Sequence, residues 1–327
     1  RRRRPLTAAA HRRPGEARAV SMPGMNAPML MVLASLLFSL MGVCVKLAST
    51  QFGTGEIVMY RGLVGAVVMA VLVRARRQSL RTAVPGMHLW RSIVGVSALC
   101  LWFYAISGLP LATAMTLNYM SPIWMAMFLI GGSVLLGGAR VDARLVATVL
   151  AGFVGVAAIL RPSIDRDQLW FGVVGLFSGM LSALAYLQIT ALGRAGEPET
   201  RVVFYFSCAG TLAGLALTLL QGGPSGGHDL RGLLLVLAVG VFATAAQLAM
   251  TRAFSIGRPL VNASLQYLGI AFSFAWGVLL FDDPVHPLAL LGMAMVVGSG
   301  IVATRLRHAG AAPRRGASDT LPPDLES

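Results

Sequence analysis

Charged side chains are scarce in this chain. They make up 12% of 327 residues, against 56% hydrophobic, and the mean hydropathy is +0.72. Soluble domains carry roughly 25% charged residues, so this composition excludes a soluble domain and describes an integral membrane protein. Cysteine is nearly absent. Cys44, Cys100 and Cys208 fall inside apolar stretches without metal-ligand spacing, and read as small core residues rather than disulfide partners or ligands. His88, His228 and His286 lie far apart at or near loops, with no acid or cysteine at ligand spacing. No glycine-rich phosphate loop precedes a helix, and no nucleophile and base pair stands out. The sequence therefore offers no support for an enzyme, a metal site, a cofactor or ATP-driven work.

What charge there is has one dominant sign, a net +14. Nucleic-acid binding would gather those residues on one soluble face. Here they sit in short loops and tails, which makes the charge a matter of membrane topology and excludes nucleic acid as a partner.

Apolar runs long enough to cross ~30 Å of hydrocarbon cover residues 28–50, 55–73, 89–108, 111–133, 142–161, 169–192, 202–221, 231–251, 257–281 and 286–305. The pattern predicts an all-α membrane protein of ten transmembrane helices. Residues 1–27 are basic and aperiodic, and read as a disordered tail or an upstream extension; 306–327 read as a disordered tail. Placing the N-terminus in the cytoplasm puts eleven arginines inside: Arg74, Arg76, Arg77, Arg81, Arg91, Arg140, Arg144, Arg194, Arg201, Arg252 and Arg258. Only Arg161, Arg166 and Arg231 then lie outside. Cytoplasmic loops are enriched in positive charge, so both termini are expected in the cytoplasm.

The chain is organised around an internal echo. Thr116-Leu117-Asn118-Tyr119 recurs 148 residues later as Ser264-Leu265-Gln266-Tyr267, and Tyr104-Ala105-Ile106-Ser107 aligns at the same offset with Arg252-Ala253-Phe254-Ser255. Five helices per copy is an odd number, so the second copy enters the membrane from the opposite face. Residues 28–161 and 162–305 are thus expected to form two inverted-topology repeats meeting at a central site.

The order of features resembles an EamA-type permease of the drug/metabolite transporter (DMT) superfamily. The resemblance rests on Met59-Tyr60-Arg61-Gly62 in the second span, the run Phe103 to Ala114 bridging the third and fourth, Pro122 in the fourth, and Gly152-Phe153-Val154-Gly155-Val156 in the fifth. It covers residues 28–305 and implies two five-helix repeats, a central substrate cavity and a bacterial inner-membrane location. Two departures stand out: Gly137-Gly138-Ala139 has no acid where the family often has a Gly-Glu pair, and Phe281-Asp282-Asp283-Pro284 keeps an acid without the glycine. Asp282 and Asp283 read as solvated caps at the outer interface.

Ionisable residues inside spans are functional candidates, because a charge at the bilayer centre costs at least ~2.5 to 3.5 kcal/mol. Lys46 lies about one turn from the outer end of the first span, where an interfacial anchor and a cavity cation are both open readings. Arg61 lies deeper and is expected to face inward. Glu56 reads as a helix-start acid. Asn118 and Gln266 are either packing glue or cavity groups. Tyr119 and Tyr267 are the aromatics singled out among Trp102, Tyr104, Trp124, Tyr186 and Trp276. Pro122 should break the fourth helix beside the cavity, and Gly62, Gly65, Gly152 and Gly155 should allow close helix approach.

These residues point to a gradient-driven secondary carrier that exports amino-acid-like metabolites by alternating access. Its expected site is Arg61, Asn118, Tyr119, Gln266 and Tyr267, with Arg61 or Lys46 supplying a cation. Import of a nucleoside-like metabolite and a non-transporting scaffold or accessory subunit are the competing readings. The partners implied are a small-molecule metabolite and the lipid bilayer; a monomer suffices and a dimer is compatible.

Overall fold

The computed structural model describes residues 25–135, 166–226, 229–257 and 265–310, together with Asn262 and isolated residues between 144 and 158. The predicted fifth span at 142–161 falls largely outside these residues. So do Gly137-Gly138-Ala139, Arg140, Arg161, His228, Arg258, Ser264 and both tails.

The described residues are helical and contain no strand. The helices are α1 (Ala27–Ala48), α2 (Thr54–Ala75), α3 (Pro85–Gly108), α4 (Leu111–Asn118), α5 (Ser121–Leu135), α6 (Arg166–Arg194), α7 (Glu199–Leu220), α8 (Leu230–Ile256), α9 (Leu268–Phe281) and α10 (Pro287–Gly310). Six of the described helices, α1, α2, α3, α6, α7 and α8, are long and apolar enough to cross a membrane.

Local chemistry sets several helix ends. Asn26 accepts from Met29 N at 3.1 Å to start α1, and Asp229 accepts from Gly232 N at 2.6 Å to start α8. Each satisfies an orphan N–H of a first turn. Glu56 is the helix-start acid expected at α2: it accepts from Gly53 N at 3.0 Å and from Ser225 N at 3.1 Å, so it also holds the chain beyond α7. Pro85 occupies the first turn of α3, where its missing N–H costs nothing. That start lies four residues ahead of the expected one and sets Arg91 two turns into the helix rather than at its cytoplasmic edge.

Packing pairs distant parts of the chain. α1 lies chiefly on α8, α2 on α7 and α3 on α6, while α4 packs on both α6 and α9. The α2–α7 seam is lined by small residues. A Cβ on Gly62 would lie 2.5 Å from Thr211 N, and one on Gly55 would lie 2.8 Å from Thr218 N. Backbones can approach this closely only where side chains are absent. Gly155 does the same against α10, where a Cβ would reach 2.8 Å from Gly292 O.

The core sits between α1, α3, α4 and α8, around Met31, Met41, Phe103, Ile106, Met115 and Phe254, all essentially inaccessible. Large apolar side chains such as Val71, Leu212, Leu219 and Leu237 face outward. Ser35, Ser39, Thr116, Asn118 and Gln266 face inward. That inversion of the soluble pattern suits a hydrocarbon surround.

Candidate functional site

Two arginines dominate the interior. Arg61 of α2 is 4% exposed and Arg91 of α3 is 3% exposed. Both guanidiniums lie over the ring of Phe206 on α7, at 5.1 and 4.3 Å from its centroid. Neither has a carboxylate partner among the described residues, and Arg61 Nε, Arg91 Nε and Arg91 Nη1 have no hydrogen-bond acceptor. Burying an unpaired ion costs several kcal/mol. A desolvated cation–π contact returns about 2 kcal/mol of that. Helix α3 makes room for its arginine with Gly95, where a Cβ would collide with Arg91 Nη1.

Both arginines line a cavity of about 50 Å³. Its walls come from α1 (Phe38), α2, α3 (Leu99, Trp102), α4 (Asn118), α6 (Ser182, Tyr186), α7 and α8 (Gln247, Met250). None of the described lining residues is acidic. The volume has room for a few waters and is too small for a metabolite, so binding one requires the surrounding helices to separate.

Asn118 ends α4, and Tyr119–Met120 form a non-helical turn before α5, whose second residue is Pro122. The expected break is therefore present, one turn from the cavity. Asn118 Nδ2 donates to Ser178 Oγ at 2.8 Å and Ser182 Oγ at 3.1 Å. α6 reaches this point through Gly179, where a Cβ would strike Leu117 O. A second turn at Gln266–Tyr267 precedes α9. Gln266 Oε1 accepts from Ser121 Oγ at 3.5 Å, and Gln266 bonds Tyr186 at the cavity wall. The Tyr119 and Tyr267 hydroxyls are buried without a partner, and the Tyr119 ring lies 6.3 Å from that of Trp102.

Of the residues singled out from sequence, Arg61 and Asn118 line the cavity, while Gln266, Tyr119 and Tyr267 stand close behind it or at the paired break. Lys46 stands apart. Its Nζ lies 3.0 Å from Asp283 Oδ1 and 4.5 Å from the Phe281 ring centroid. Asp283 Oδ2 also accepts from Leu111 N at 3.1 Å. Asp283 is thus no solvated cap: it ties the end of α1 and the start of α4 to the end of α9. At Asp282 the backbone takes a left-handed turn, φ 49°, which Asp tolerates.

A second clasp ties α3 to the connection between α6 and α7. Glu197, between α6 and α7, contacts His88 Nε2 at 3.0 Å and Arg201 Nη1 at 2.9 Å. Thr82 Oγ1 donates to it at 2.9 Å. His88, which has no acid near it in sequence, is therefore paired. Arg201 also donates to Ser79 O at 2.9 Å, and Tyr205 to Leu80 O at 2.9 Å. Burial alone would raise the Glu197 carboxyl, but hydrogen bonds from Arg201, His88 and Thr82 outweigh it and hold the group below the usual carboxylate range.

Sequence reasoning missed Arg91 as a site residue by counting it with the cytoplasmic loop arginines, although it falls near the start of the expected span 89–108. The available signal was Gly95 one turn later and Pro85 six residues earlier, which together permit a helix carrying a large polar side chain.

Residues 25–161 match the profile of the EamA-like transporter family. The chain is 33% identical to the pseudopaline exporter of Pseudomonas aeruginosa, over 85% of this chain and 96% of that protein. It is 27% identical to a riboflavin transporter of Vibrio cholerae, over 82% and 89% respectively. A crystal structure of another protein, 20% identical, superposes with a TM-score of 0.62 over 86% of this chain and 98% of its own, and so shares the fold.

Proposed function

Because this chain belongs to the EamA-like transporter family, we propose that it is a secondary carrier exporting an amino-acid-like metabolite across a bacterial inner membrane. Its relatives are transporters of small molecules rather than enzymes. The observation that carries the reading is a cavity holding Arg61, Arg91, Asn118 and Gln247 and walled by helices from both halves of the chain, in a bundle that also carries the Lys46–Asp283 and His88–Glu197 clasps.

In this reading residues 28–161 and 162–305 are inverted repeats in a ten-helix carrier with both termini cytoplasmic. Two features support the repeat. The helix breaks fall at Tyr119 and Tyr267, at equivalent positions of the two copies. The packing pairs also exchange with one another when the halves are swapped: α1 on α8 becomes α6 on α3, while α2 on α7 and α4 on α9 map onto themselves. A pseudo-twofold axis in the membrane plane gives this pattern.

Alternating access then amounts to releasing one clasp while holding the other. The Lys46–Asp283 clasp closes the outer face, and the His88–Glu197–Arg201 clasp closes the cytoplasmic one. Substrate sits on Arg61, Asn118 and Gln266 beside the two helix breaks, with Tyr119 and Tyr267 behind. Export is favoured by the relative named as an exporter. An S-adenosylmethionine uptake transporter, 20% identical to this chain, favours import instead.

The test is flux of labelled amino acids and nucleoside-like metabolites in proteoliposomes, in both directions. Gradient-dependent flux that is lost in Asn118→Ala and Gln266→Ala, with both variants folded, supports the carrier and its site. Flux retained in both variants moves the site. Absence of flux across the panel, with a bound protein partner recovered, favours the scaffold reading.

A further inference from the structure

The groups left unpartnered around the cavity are of one chemical kind. Arg61 Nε, Arg91 Nε and Nη1, Trp102 Nε1 and Gln247 Nε2 are all buried donors lacking an acceptor. None of the described residues lining the cavity carries a carboxylate that could accept from them. Buried donors in native proteins are almost always satisfied. These donors are therefore left without acceptors where two guanidiniums lie over the same Phe206 ring.

The two charges share one aromatic neighbour. Both guanidiniums contact the same Phe206 ring, so their carbons are no farther apart than their two distances to its centroid combined, 5.1 and 4.3 Å. They repel one another. A single carboxylate could pair with one guanidinium bidentately, but it would leave the other charge buried and unpaired. A group bearing two carboxylates, or other acidic groups at matching separation, would neutralise both and supply acceptors to Trp102 and Gln247. Arginine rather than lysine at both positions suits this task, because the planar fork matches an oxyanion geometrically. No lysine is available inside the cavity, since the only one in the chain, Lys46, is engaged by Asp283.

We infer that the central cavity is a dianion site, in which Arg61 and Arg91 each take one acidic group of a substrate carrying two. This rests on the carrier reading above for its role in transport, and on the cavity geometry alone for binding. The Phe206 ring lies against both guanidiniums. Asn118, whose amide donates to Ser178 and Ser182, lies at the wall and leaves its oxygen for a polar group between the two acids. An acidic amino acid or a larger amino-polycarboxylate has this layout.

The test uses purified full-length protein in detergent and reads thermal stabilisation. The probes are succinate, glutarate, adipate, L-glutamate and citrate, set against butyrate, valerate and L-alanine at equal ionic strength. At least one of the di- or tricarboxylates should stabilise at concentrations at least about tenfold below its monocarboxylate counterpart. Arg91→Gln and Arg61→Gln should each reduce that preference to the monocarboxylate level. Arg91→Lys, which keeps the charge and loses the fork, should recover part of it and guards against a variant that simply fails to fold. The proposal is overturned if no such probe exceeds its monocarboxylate control, or if the preference survives unchanged in both glutamine variants.

Counterflow of the same compounds in proteoliposomes separates this inference from the carrier reading. Stabilisation without counterflow supports the dianion site and removes the carrier. Counterflow of a neutral or cationic solute that persists in both glutamine variants keeps the carrier and removes the dianion site.

Discussion

Gly95 lies one helical turn beyond Arg91, and the Arg91 guanidinium occupies the space that a Cβ at position 95 would need. The glycine is there for the arginine: helix interiors disfavour glycine by about 1 kcal/mol relative to alanine, and α3 accepts that cost at the point where a buried cation requires room. Gly95→Ala should therefore act as an Arg91 variant while improving the intrinsic helix propensity of α3. The expected outcome is a folded protein whose KM for transported substrate rises at least about tenfold, with a smaller effect in Arg91→Gln/Gly95→Ala than the two single changes would sum to. An unchanged KM in Gly95→Ala would show that the arginine has another place to go.

The clasp at Asp283 joins three helices through one carboxylate, which accepts from Lys46 Nζ and from Leu111 N. Charge-assisted hydrogen bonds are worth about 1.5 to 3 kcal/mol, which would shift an opening equilibrium by roughly tenfold or more. Asp283→Asn and Lys46→Met should both increase opening at that end. Cys100, half-buried on α3 next to the cavity-lining Leu99, is a native reporter. With Cys44 and Cys208 replaced by alanine, labelling of Cys100 by a membrane-impermeant thiol reagent added from the Asp283 side should accelerate in both variants. Equal rates in wild type and variants would mean that this ion pair does not hold the end shut.

At the other end, Glu197 faces His88, Arg201 and Thr82, with the Tyr205 ring tilted at 41° against the imidazole and 4.7 Å between ring centroids. Its folded-state carboxyl is held below the ordinary 4.5. A group depressed on folding contributes stability that is fully present above its unfolded value and is lost as pH falls through the folded one. The melting-temperature advantage of wild type over Glu197→Gln should thus be largest near neutral pH and shrink only below about 4.5. A difference that stays constant from pH 7 to pH 3.5 would remove the carboxylate charge from the account of this clasp.

How far the sequence was legible depended on the range of the interaction. Run lengths and loop residues located α1, α2, α6, α7 and α8 to within a few residues, because spanning a bilayer imposes a length that can be counted. The break at Asn118–Pro122 was legible for the same reason, since proline acts locally. Arg91 was not. With Pro85, His88 and Arg91 close together, the first turn of α3 read as a connection and Arg91 as an edge residue, and only Phe206 from α7 and the space at Gly95 explain the burial. The clasps were invisible for a related reason: His88 and Glu197 are 109 residues apart, and Lys46 and Asp283 are 237 apart. Tyr119 and Tyr267 were picked out by their repeat, and that signal found the breaks more surely than it found the cavity wall.

The α2–α7 seam places Arg61 opposite Phe206, and the seam depends on glycine. At Gly62 an added Cβ would meet Thr211 N at 2.5 Å and Ser207 O at 2.7 Å, both backbone atoms that cannot rotate away. The two helices would have to separate, and overpacking of this kind costs about 1 to 3 kcal/mol. Gly210, on the facing helix, has no atom within 4 Å of an added Cβ, so Gly210→Ala should be neutral or stabilise by up to about 1 kcal/mol through helix propensity. Because Arg61 immediately precedes Gly62 on α2, separation would also lift its guanidinium from the Phe206 ring. Gly62→Ala should therefore lower the melting temperature and weaken binding of a carboxylate-bearing probe together, whereas Gly210→Ala should do neither. Comparable loss of stability in both variants would point to a general intolerance of these helices to added volume; loss of stability without loss of binding would show that Arg61 keeps its position independently of the seam.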